Sequence, residues 1–371
     1  MAKPRLRGSG RSDGFPHPPF GPASFSVNLK TRTIAVDRDR PSPVTMDEGA
    51  SVLRRGGMVA FATETVYGLG ADATDPAAVA RIFEAKGRPD INPLIVHADG
   101  AEMARSCVAS WPEEARILTE ACWPGPLTLV LPRSARIPDV VTAGRETVGV
   151  RVPGTVVARS LIARAGRPVA APSANRSTGI SPTLASHVLK DLDGRIDLIL
   201  DSGPTALGLE STVVDLSRDS PRLLRPGPLS REFLAAILGK DFGGPEPDGT
   251  GGPLLSPGQM TIHYAPRTPT VRIDPGFTAS FPWPARSALI VVGREWSREG
   301  VGASFTFELP TPEIAAARLY ATLHHCDDSG VDLIVIVPPP SVARWSAILD
   351  RLGRASVPFD SWSASHDRPS R

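Results

Sequence analysis

The chain has 371 residues, 41% of them hydrophobic and 22% charged, so it can form two domains that each bury a core. Three scattered cysteines, Cys107, Cys122 and Cys326, argue against a disulfide framework and have no zinc-binding spacing. No apolar run approaches the length of a membrane span, and the basic N-terminus lacks the apolar core of a secretory signal, so we expect a soluble cytoplasmic protein without a membrane partner.

Charge is unevenly distributed along the chain. Residues 1–40 carry eight Lys or Arg against three Asp, a net +5, whereas the whole chain has a net charge of only +2, which leaves about −3 for the remainder. Residues 1–27 are rich in Pro, Gly, Ser and Arg and show no periodicity. We interpret them as a disordered basic extension, with a weak RNA contact as the alternative to a solvated arm.

The first predicted elements lead into a buried strand. The alternating stretch within Asn28–Val36 suits an edge strand. A helix is predicted over Thr45–Gly56, with Thr45 as its N-cap and Glu48 as the capping-box partner. The apolar run Met58–Ala62 then predicts a buried strand.

A hydroxyl- and glycine-rich segment, TETVYGLG at residues 63–70, follows that strand and is predicted to form a turn. A short amphipathic helix comes next, because Asp75 can cap its first turn and Pro76 suits the first helical position. Gly87 suits the left-handed residue after the last turn. The helix therefore ends at Lys86.

Two cations are placed beside this glycine-rich segment. Lys86 ends the helix and Arg88 follows it, so together they can hold a polyanion such as a nucleotide triphosphate. A basic residue near a helix C-terminus is also explained by the helix dipole alone. Both interpretations of Lys86 stay open at this point.

Further strands are predicted downstream of a helix at Glu113–Cys122. Leu127–Leu131 and Val148–Val152 are apolar runs of strand length. Arg151 interrupts the second of them, and an arginine there is costly unless it is paired. It therefore faces either solvent or a cleft that binds an anionic ligand.

The loop at residues 171–183, APSANRSTGISPT, follows a short strand at Pro168–Ala171 and is rich in hydroxyl and amide groups. It is either an ordinary turn-rich connection or a set of ligand donors at a strand end. Strands at Ile196–Leu200 and Thr212–Leu216 and a helix at Arg231–Leu238 complete the first predicted domain, residues 28–240.

The rest of the chain divides into a linker and a second domain. Residues 241–270 are rich in Gly and Pro but include the pair His263-Tyr264, which a plain spacer does not need. Residues 271–371 alternate between strands and helices, which predicts a smaller Rossmann-like α/β domain with a parallel sheet. Its predicted elements are strands at 288–292, 305–309 and 331–337 and helices at 312–324 and 342–352.

Eight strings occur in an order that resembles the YrdC-type threonylcarbamoyl-AMP synthases in their long, two-domain form, over residues 28–371. The strings are TETVYGLG, KGRP with NPLIVH, WPGPLTLVL, VGVRVP, APSAN, ESTVVD, LRPG and SPGQMTIHYAP. The resemblance implies a first domain with a YrdC-like, twisted open α/β sheet and a large, positively lined cavity.

The resemblance also implies the reaction. L-threonine and bicarbonate form a carbamate, and its carboxylate attacks the α-phosphate of ATP to give threonylcarbamoyl-AMP and pyrophosphate. A separate tRNA threonylcarbamoyl transferase complex then modifies the adenosine next to the anticodon, so the family belongs to tRNA processing. Mg²⁺ is expected with ATP, although no protein carboxylate cage for it is recognisable. The enzyme class implied is a nucleotidyltransferase.

Site residues carry over from the family's strings position by position. Those implied for threonine are Thr63, His97, Arg151, Ala171 and Ser211. Those implied for ATP are Arg88, Asn92, Thr147, Ser173, Ser181, Arg225 and Tyr264. Lys86 and Arg88 are the residues expected to neutralise charge during the reaction. Asn175 is expected to orient the loop that carries Ser173, and Tyr264 brings the linker across the cavity as a lid.

Two departures and two rival functions complete the sequence analysis. Ala62 stands where the family often has proline, and Met260 and Ile262 stand where it often has basic or serine residues. One rival is a carbamoyl-adenylate enzyme of hydrogenase maturation, whose zinc-binding part the cysteine content excludes. The other is a module that binds double-stranded RNA or tRNA, which the charge of about −3 on the body disfavours.

Overall fold

The computed structural model describes residues 30–243, 263–296 and 301–366. The predicted basic extension, residues 1–27, and the greater part of the predicted linker, including Met260 and Ile262, lie outside the described residues. The described parts contain two β-sheets, one of ten strands and one of five. Helices pack on both sheets, so the expected α/β fold class is confirmed.

The larger sheet is mixed. Its strands, in chain order, are β1 Arg32–Ala35, β2 Val59–Ala62, β3 Tyr67–Asp72, β4 Ile95–His97, β5 Leu127–Pro132, β6 Thr147–Arg151, β7 Val169–Ala170, β8 Leu198–Asp201, β9 Thr212–Asp215 and β10 Arg222–Arg225. They lie side by side in the order β1-β8-β2-β3-β7-β4-β6-β5-β9-β10. The strand expected within Asn28–Val36 is β1, and it lies at the edge of the sheet as predicted.

Within the described residues, eight helices accompany this sheet. They are α1 Pro43–Arg54, α2 Pro76–Lys86, α3 Ala101–Ser106, α4 Glu113–Cys122, α5 Asp139–Thr142, α6 Val156–Ala165, α7 Ala185–Leu192 and α8 Arg231–Leu238. Alternate residues of β2 face two different cores, with Val59 and Phe61 packing against α1 and α6. Ala60 packs on the opposite face, against the core that includes α2, α4 and α7. The result is a sheet covered on both faces.

The predicted α2 is confirmed in detail. The Asp75 side chain accepts hydrogen bonds from the backbone amides of Ala77 and Ala78, which satisfies two free N–H groups of the first turn. Gly87 closes the helix at φ 60°, a left-handed conformation that costs glycine little. Lys86 is therefore the last helical residue, as the sequence predicts.

Two local predictions are wrong. The glycines of TETVYGLG do not form a turn, because Tyr67–Asp72 is a fully buried strand, and only Thr63–Val66 turns. Glycine is needed there for close packing, since a Cβ at Gly70 would lie 2.7 Å from the side chains of Phe61 and Val169. The N-cap of α1 is Ser42 and not Thr45, because Pro43 already starts the helix.

The smaller sheet is parallel throughout its described pairs, as predicted for a Rossmann-like domain. Its strands are β11 Thr270–Arg272, β12 Ser287–Val292, β13 Phe305–Leu309, β14 Leu333–Val337 and β15 Val357–Pro358, in the order β13-β12-β14-β11-β15. Its helices are α9 Pro312–Asp328, α10 Ser346–Ala355 and α11 Phe359–His366, with two short 3-10 helices at Pro275–Ser280 and Ala343–Trp345.

The two sheets share one apolar cluster. Val66, Ile180 and Leu209 of the first part pack with Leu319 and Trp345 of the second. This packing joins the loops that follow β2 and β7 to α9 and the segment before α10. The second sheet is thereby fixed against the loops that carry several predicted site residues.

None of the helices that the structure describes is both long and apolar enough to cross a bilayer.

Leu234 of α8 lies in the first core. The proposed domain boundary near residue 240 agrees with that packing and stays a prediction.

Candidate active site

A cavity lies where the loops and strand ends of the first sheet meet the start of the second part. Nine of the predicted site residues line it: Thr63, Arg88, His97, Arg151, Ala171, Ser173, Ser211, Arg225 and Tyr264. His97 and Arg151 end adjacent parallel strands, and their Cα atoms are partners in the register of β4 and β6. The sheet therefore brings together residues that are distant in sequence.

Arg151 faces this cavity and not solvent, which decides the alternative left open by the sequence. Its guanidinium is almost fully buried and forms an ion pair with Glu64, with 2.6 Å between Nη2 and Oε1. Nη2 also donates to Thr65 Oγ1 at 3.1 Å, and Nε donates to the Gly125 carbonyl at 3.2 Å. No partner for Nη1 is found among the described residues. One edge of the guanidinium is thus fixed and another is available to an anion.

The turn after β2 holds Glu64 in place. Thr63 Oγ1 donates to the Val66 carbonyl at 2.7 Å and accepts from the Thr65 amide at 3.2 Å, which forms a compact hydroxyl turn. The second carboxylate oxygen of Glu64 accepts from the Gly154 amide at 2.8 Å. Glu64 therefore orients Arg151 from a rigid position beside the cavity.

His97 is a neutral imidazole in this site. Burial first, and then the positive charge of Arg151, lower the pKa of His97 to about 3. Nδ1 lies 3.3 Å from the Ile95 carbonyl, which can only accept, so Nδ1 carries the proton in the neutral ring. Nε2 is therefore left as a hydrogen-bond acceptor for a ligand.

Arg88 and Arg225 form a second positive region. Arg88 donates to the backbone carbonyls of Asn92 and Pro93, at 3.3 and 3.0 Å. Arg225 donates to the carbonyl and hydroxyl oxygens of Ser211 at 3.0–3.1 Å. Burial is the main cause of the lowered pKa of both guanidinium groups, and Arg88 has a pKa of about 10. Both remain cationic at neutral pH, in a place where an anionic partner would be strongly favoured.

Four predicted residues do not line the cavity. Lys86 is buried behind it and donates to the carbonyls of Ser173 and Asn175, so it supports the loop that follows β7. Burial and then the charge of Arg88 lower the pKa of Lys86 well below its usual value. Asn92 is buried in the loop after α2, and Thr147 borders a smaller cavity that shares Ile95 with the first.

Ser181 is the fourth of these residues. Its hydroxyl donates to Glu210 Oε1 at 2.6 Å. Asn175, the predicted loop-orienting residue, donates from its side-chain amide to the carbonyls of Arg176 and Gly179, at 2.8 Å each. The latter contacts agree with the predicted loop-orienting role, which stays a prediction together with the ligand assignments.

His263 and Tyr264 close one side of the cavity. Tyr264 has φ 62°, a conformation uncommon for a bulky residue, and is almost fully buried. Its hydroxyl has no hydrogen-bond partner in the part of the chain that the structure describes. A buried, unsatisfied hydroxyl at a strained residue on a cavity wall is a feature of ligand-binding positions.

The sequence analysis missed several cavity residues. Thr65 lines the cavity and Glu64 pairs with Arg151 beside it, and both lie within TETVYGLG; the cavity residue Glu210 begins ESTVVD. The signal for Glu64 is its place in a hydroxyl-rich turn directly after a buried strand. Glu210 is recognisable only from its contacts, because two of its three partners among the described residues, Tyr320 and Arg351, lie on helices of the second part.

The cavity encloses about 50 Å³ in this conformation. Small-molecule sites typically have volumes of about 300–1,000 Å³. ATP, alone or together with threonine, therefore fits this cavity only after part of the wall moves. His263 and Tyr264 are the wall residues that follow the predicted linker. No cluster of three or more His, Cys, Asp or Glu side chains that could hold a metal ion is found within 30–243, 263–296 and 301–366.

The sequence and the structure were compared with known proteins. A family model described as telomere recombination matches residues 51–227, and one described as the C-terminal domain of threonylcarbamoyl-AMP synthase matches residues 229–357. A threonylcarbamoyl-AMP synthase of Pyrococcus abyssi is 41% identical over 315 residues, which cover 83% of this chain and 92% of the relative. A Bacillus subtilis protein of the same name is 39% identical over 325 residues, with the same coverage of 83% and 92%.

Among solved structures, the crystal structure of P. abyssi Sua5 complexed with L-threonine matches with a TM-score of 0.79. The two chains are 39% identical, and the match covers 88% of this chain and 99% of the other. The likeness therefore extends over both sheets.

Proposed function

Since the chain belongs to the threonylcarbamoyl-AMP synthase family, we propose that it makes L-threonylcarbamoyl-AMP and pyrophosphate from L-threonine, bicarbonate and ATP in this cavity. The chain is an enzyme, a transferase. Within that class we assign it to the nucleotidyltransferases, because AMP is the group that ATP transfers. Neither rival function is favoured, since the relatives that match most of the chain are named threonylcarbamoyl-AMP synthases.

One observation carries the proposal: three buried arginines, Arg88, Arg151 and Arg225, face a single cavity that hydroxyl groups also line. Cations buried at this density require anionic partners. Glu210 is the carboxylate on the cavity wall among the described residues, and Glu64 pairs with Arg151 beside it. A bound carboxylate and a bound polyphosphate would supply the remaining negative charge.

We assign the Arg151 end of the cavity to L-threonine. Nη1 of Arg151 can take one oxygen of the amino acid's carboxylate, and Ser211 and Thr63 present hydroxyl groups nearby. Nε2 of His97, which is an acceptor, suits the ammonium or hydroxyl group of threonine. The threonine bound to the P. abyssi relative supports this assignment.

We assign the Arg88–Arg225 end to ATP. Two guanidinium groups can hold the phosphates, and the Tyr264 hydroxyl has its hydrogen-bonding capacity unused among the described residues. Ser173 adds a hydroxyl on the same wall. Lys86 would act from behind this wall, through the carbonyls of Ser173 and Asn175 that it holds.

The proposed reaction needs no covalent enzyme intermediate. The threonine amine and bicarbonate give a carbamate and water. A carbamate oxygen then forms a bond to the α-phosphorus, the bond to the β-phosphate oxygen breaks, and pyrophosphate leaves with both electrons of that bond. The cavity contributes by orienting the carbamate in line with that bond and by neutralising phosphate charge.

Mg²⁺ is proposed to enter with ATP. Mg²⁺ prefers phosphate oxygens and water over all-protein cages. The carboxylates in or beside the cavity fit that role poorly, because Glu64 is paired with Arg151 and Glu210 is engaged by Arg351. The metal would therefore neutralise phosphate charge while the protein holds the nucleotide around it.

We also propose that Tyr264 and the preceding linker act as a lid over the mixed anhydride, which water would otherwise hydrolyse. Ending the chain before Ser256 would remove the linker, but such a variant would be a poor test of the lid, because it also removes Leu319 and Trp345 from the shared core. The product would pass to a tRNA threonylcarbamoyl transferase complex. Any contact with tRNA itself would be weak.

The direct test is detection of the product by mass spectrometry, with ¹³C-bicarbonate, ATP and either L-threonine or no amino acid. A threonylcarbamoyl adenylate that carries one ¹³C and forms only with threonine supports the proposal. In a parallel reaction with carbamoyl phosphate and ATP but no threonine, formation of an unlabelled carbamoyl adenylate would instead support the hydrogenase-maturation rival.

A further inference from the structure

The Glu210 carboxylate, on the cavity wall, is held by side chains from two helices of the second part. Tyr320 on α9 donates its hydroxyl to Oε2 at 3.0 Å, and Arg351 on α10 donates Nε to the same oxygen at 2.8 Å. Ser181 donates to Oε1 at 2.6 Å. One carboxylate thus joins a predicted ATP-binding hydroxyl to two helices of the C-terminal part.

The Arg351 side chain has no exposed surface, although it is charged and lies on a helix of a small domain. It also pairs with Asp350 at 2.6 Å, and its guanidinium carbon lies 5.3 Å from the centre of the Tyr264 ring. A cation over an aromatic face is attracted to it, most strongly where water is excluded. Arg351 therefore contacts both the acid of the cavity wall and the tyrosine of the lid.

Glu210 is ionised in this setting. Burial alone would raise its pKa, but the charges of Arg351 and Arg225 and the hydrogen bond from Ser181 outweigh burial and hold the pKa at about 2. Without such partners, a buried carboxylate here would repel the phosphates of a nucleotide. It could also pair with Arg225, which would leave less positive charge for the phosphates. The partners of Glu210 consequently decide how negative this wall of the cavity is.

We propose that Arg351 and Tyr320 are positioning residues of the nucleotide site, which neutralise Glu210 and support Tyr264 from the second domain. This inference rests on the proposed use of the cavity for ATP. On this inference, the C-terminal domain contributes to nucleotide binding and does not only pack against the first domain. Neither residue belongs to the strings that suggested the family, and no motif marks either of them in the sequence.

The test compares ATP affinity, measured by calorimetry without threonine, in four variants of the full chain. Arg351→Gln leaves Glu210 charged beside the phosphates, so we expect affinity to fall on the order of tenfold or more. Tyr320→Phe removes one hydrogen bond and should weaken ATP by about threefold, with little loss of thermal stability. The double variant Glu210→Gln with Arg351→Gln removes both charges and should recover most of the lost affinity.

Arg318→Gln is the matched control, because Arg318 is an exposed cation on the same helix as Tyr320. It should bind ATP within twofold of the wild type. If Arg351→Gln does not fold, the Tyr320→Phe result decides, and unchanged ATP affinity there overturns the inference. Equal losses in Arg351→Gln and the double variant would also overturn it, since Arg351 would then act by packing alone. ATP binding is measured in the absence of threonine, so no reaction takes place during the measurement. A failure of this inference is therefore distinguishable from a failure of the proposed synthase reaction.

Discussion

Replacing Arg151 by lysine tests the threonine end of the cavity while keeping its positive charge. Lysine cannot reproduce the planar fork, so the variant should lose the Nη1 contact proposed for the substrate carboxylate. One charge-assisted hydrogen bond contributes about 1.5–3 kcal/mol, which corresponds to roughly 10- to 150-fold in the KM for threonine. Loss of the Nε bond to the Gly125 carbonyl should lower the free energy of unfolding by about 1 kcal/mol. The assay is initial pyrophosphate release as a function of threonine at saturating ATP.

Arg116→Lys is the control for that experiment, because Arg116 is an exposed arginine paired with Glu113 and Glu120 on α4, away from the cavity lining. It should leave both KM values unchanged. A KM for threonine within twofold of the wild type in Arg151→Lys, together with a raised KM for ATP, would refute the assignment of Arg151 to threonine.

Three further predictions concern stability and the lid. Burial lowers the pKa of His97 and His263 to about 3, below the unfolded value, so the unfolded state binds more protons and stability should be lost as pH falls below about 6.5. At pH 5 the loss should be on the order of 2 kcal/mol for each histidine, measured by urea unfolding, and a flat profile from pH 7.5 to 5 would contradict it. Gly208→Ala should lower the free energy of unfolding by about 3 kcal/mol or more, because φ is 71° and a Cβ would lie 2.3 Å from the Ala316 carbonyl oxygen. Gly239→Ala, with φ 65° and no atom within 4 Å, isolates the backbone cost, and equal losses in calorimetry would contradict the clash. Tyr264→Phe should weaken ATP binding about fivefold and leave the KM for threonine unchanged, whereas unchanged ATP affinity would argue against the hydroxyl contact.

The sequence predicts those parts of the fold where local chemistry decides the structure. The cap at Asp75, the left-handed Gly87 and the apolar runs place α2 and the buried strands correctly. The sequence predicts a turn within Tyr67–Asp72, which is wrong, because its glycines resemble a turn signal whereas Gly70 lets Phe61 and Val169 pack closely. That requirement comes from neighbouring strands and leaves no local signal.

In the candidate site, too, the sequence places some residues correctly and cannot connect others. Nine predicted residues line the cavity because they lie at strand ends or in adjoining loops that the sheet brings together. The exposure of Arg151 could not be decided from its alternating strand alone, since either face was consistent with the pattern. Glu210, Tyr320 and Arg351 could not be connected from the sequence, because their contacts span more than a hundred residues.

The most direct measurement is pyrophosphate release from ATP and bicarbonate by the wild-type chain, with and without L-threonine. The account predicts release that depends on threonine and accumulates with threonylcarbamoyl-AMP in equal amounts. Release at the same rate without threonine, or none from a folded protein, would contradict it.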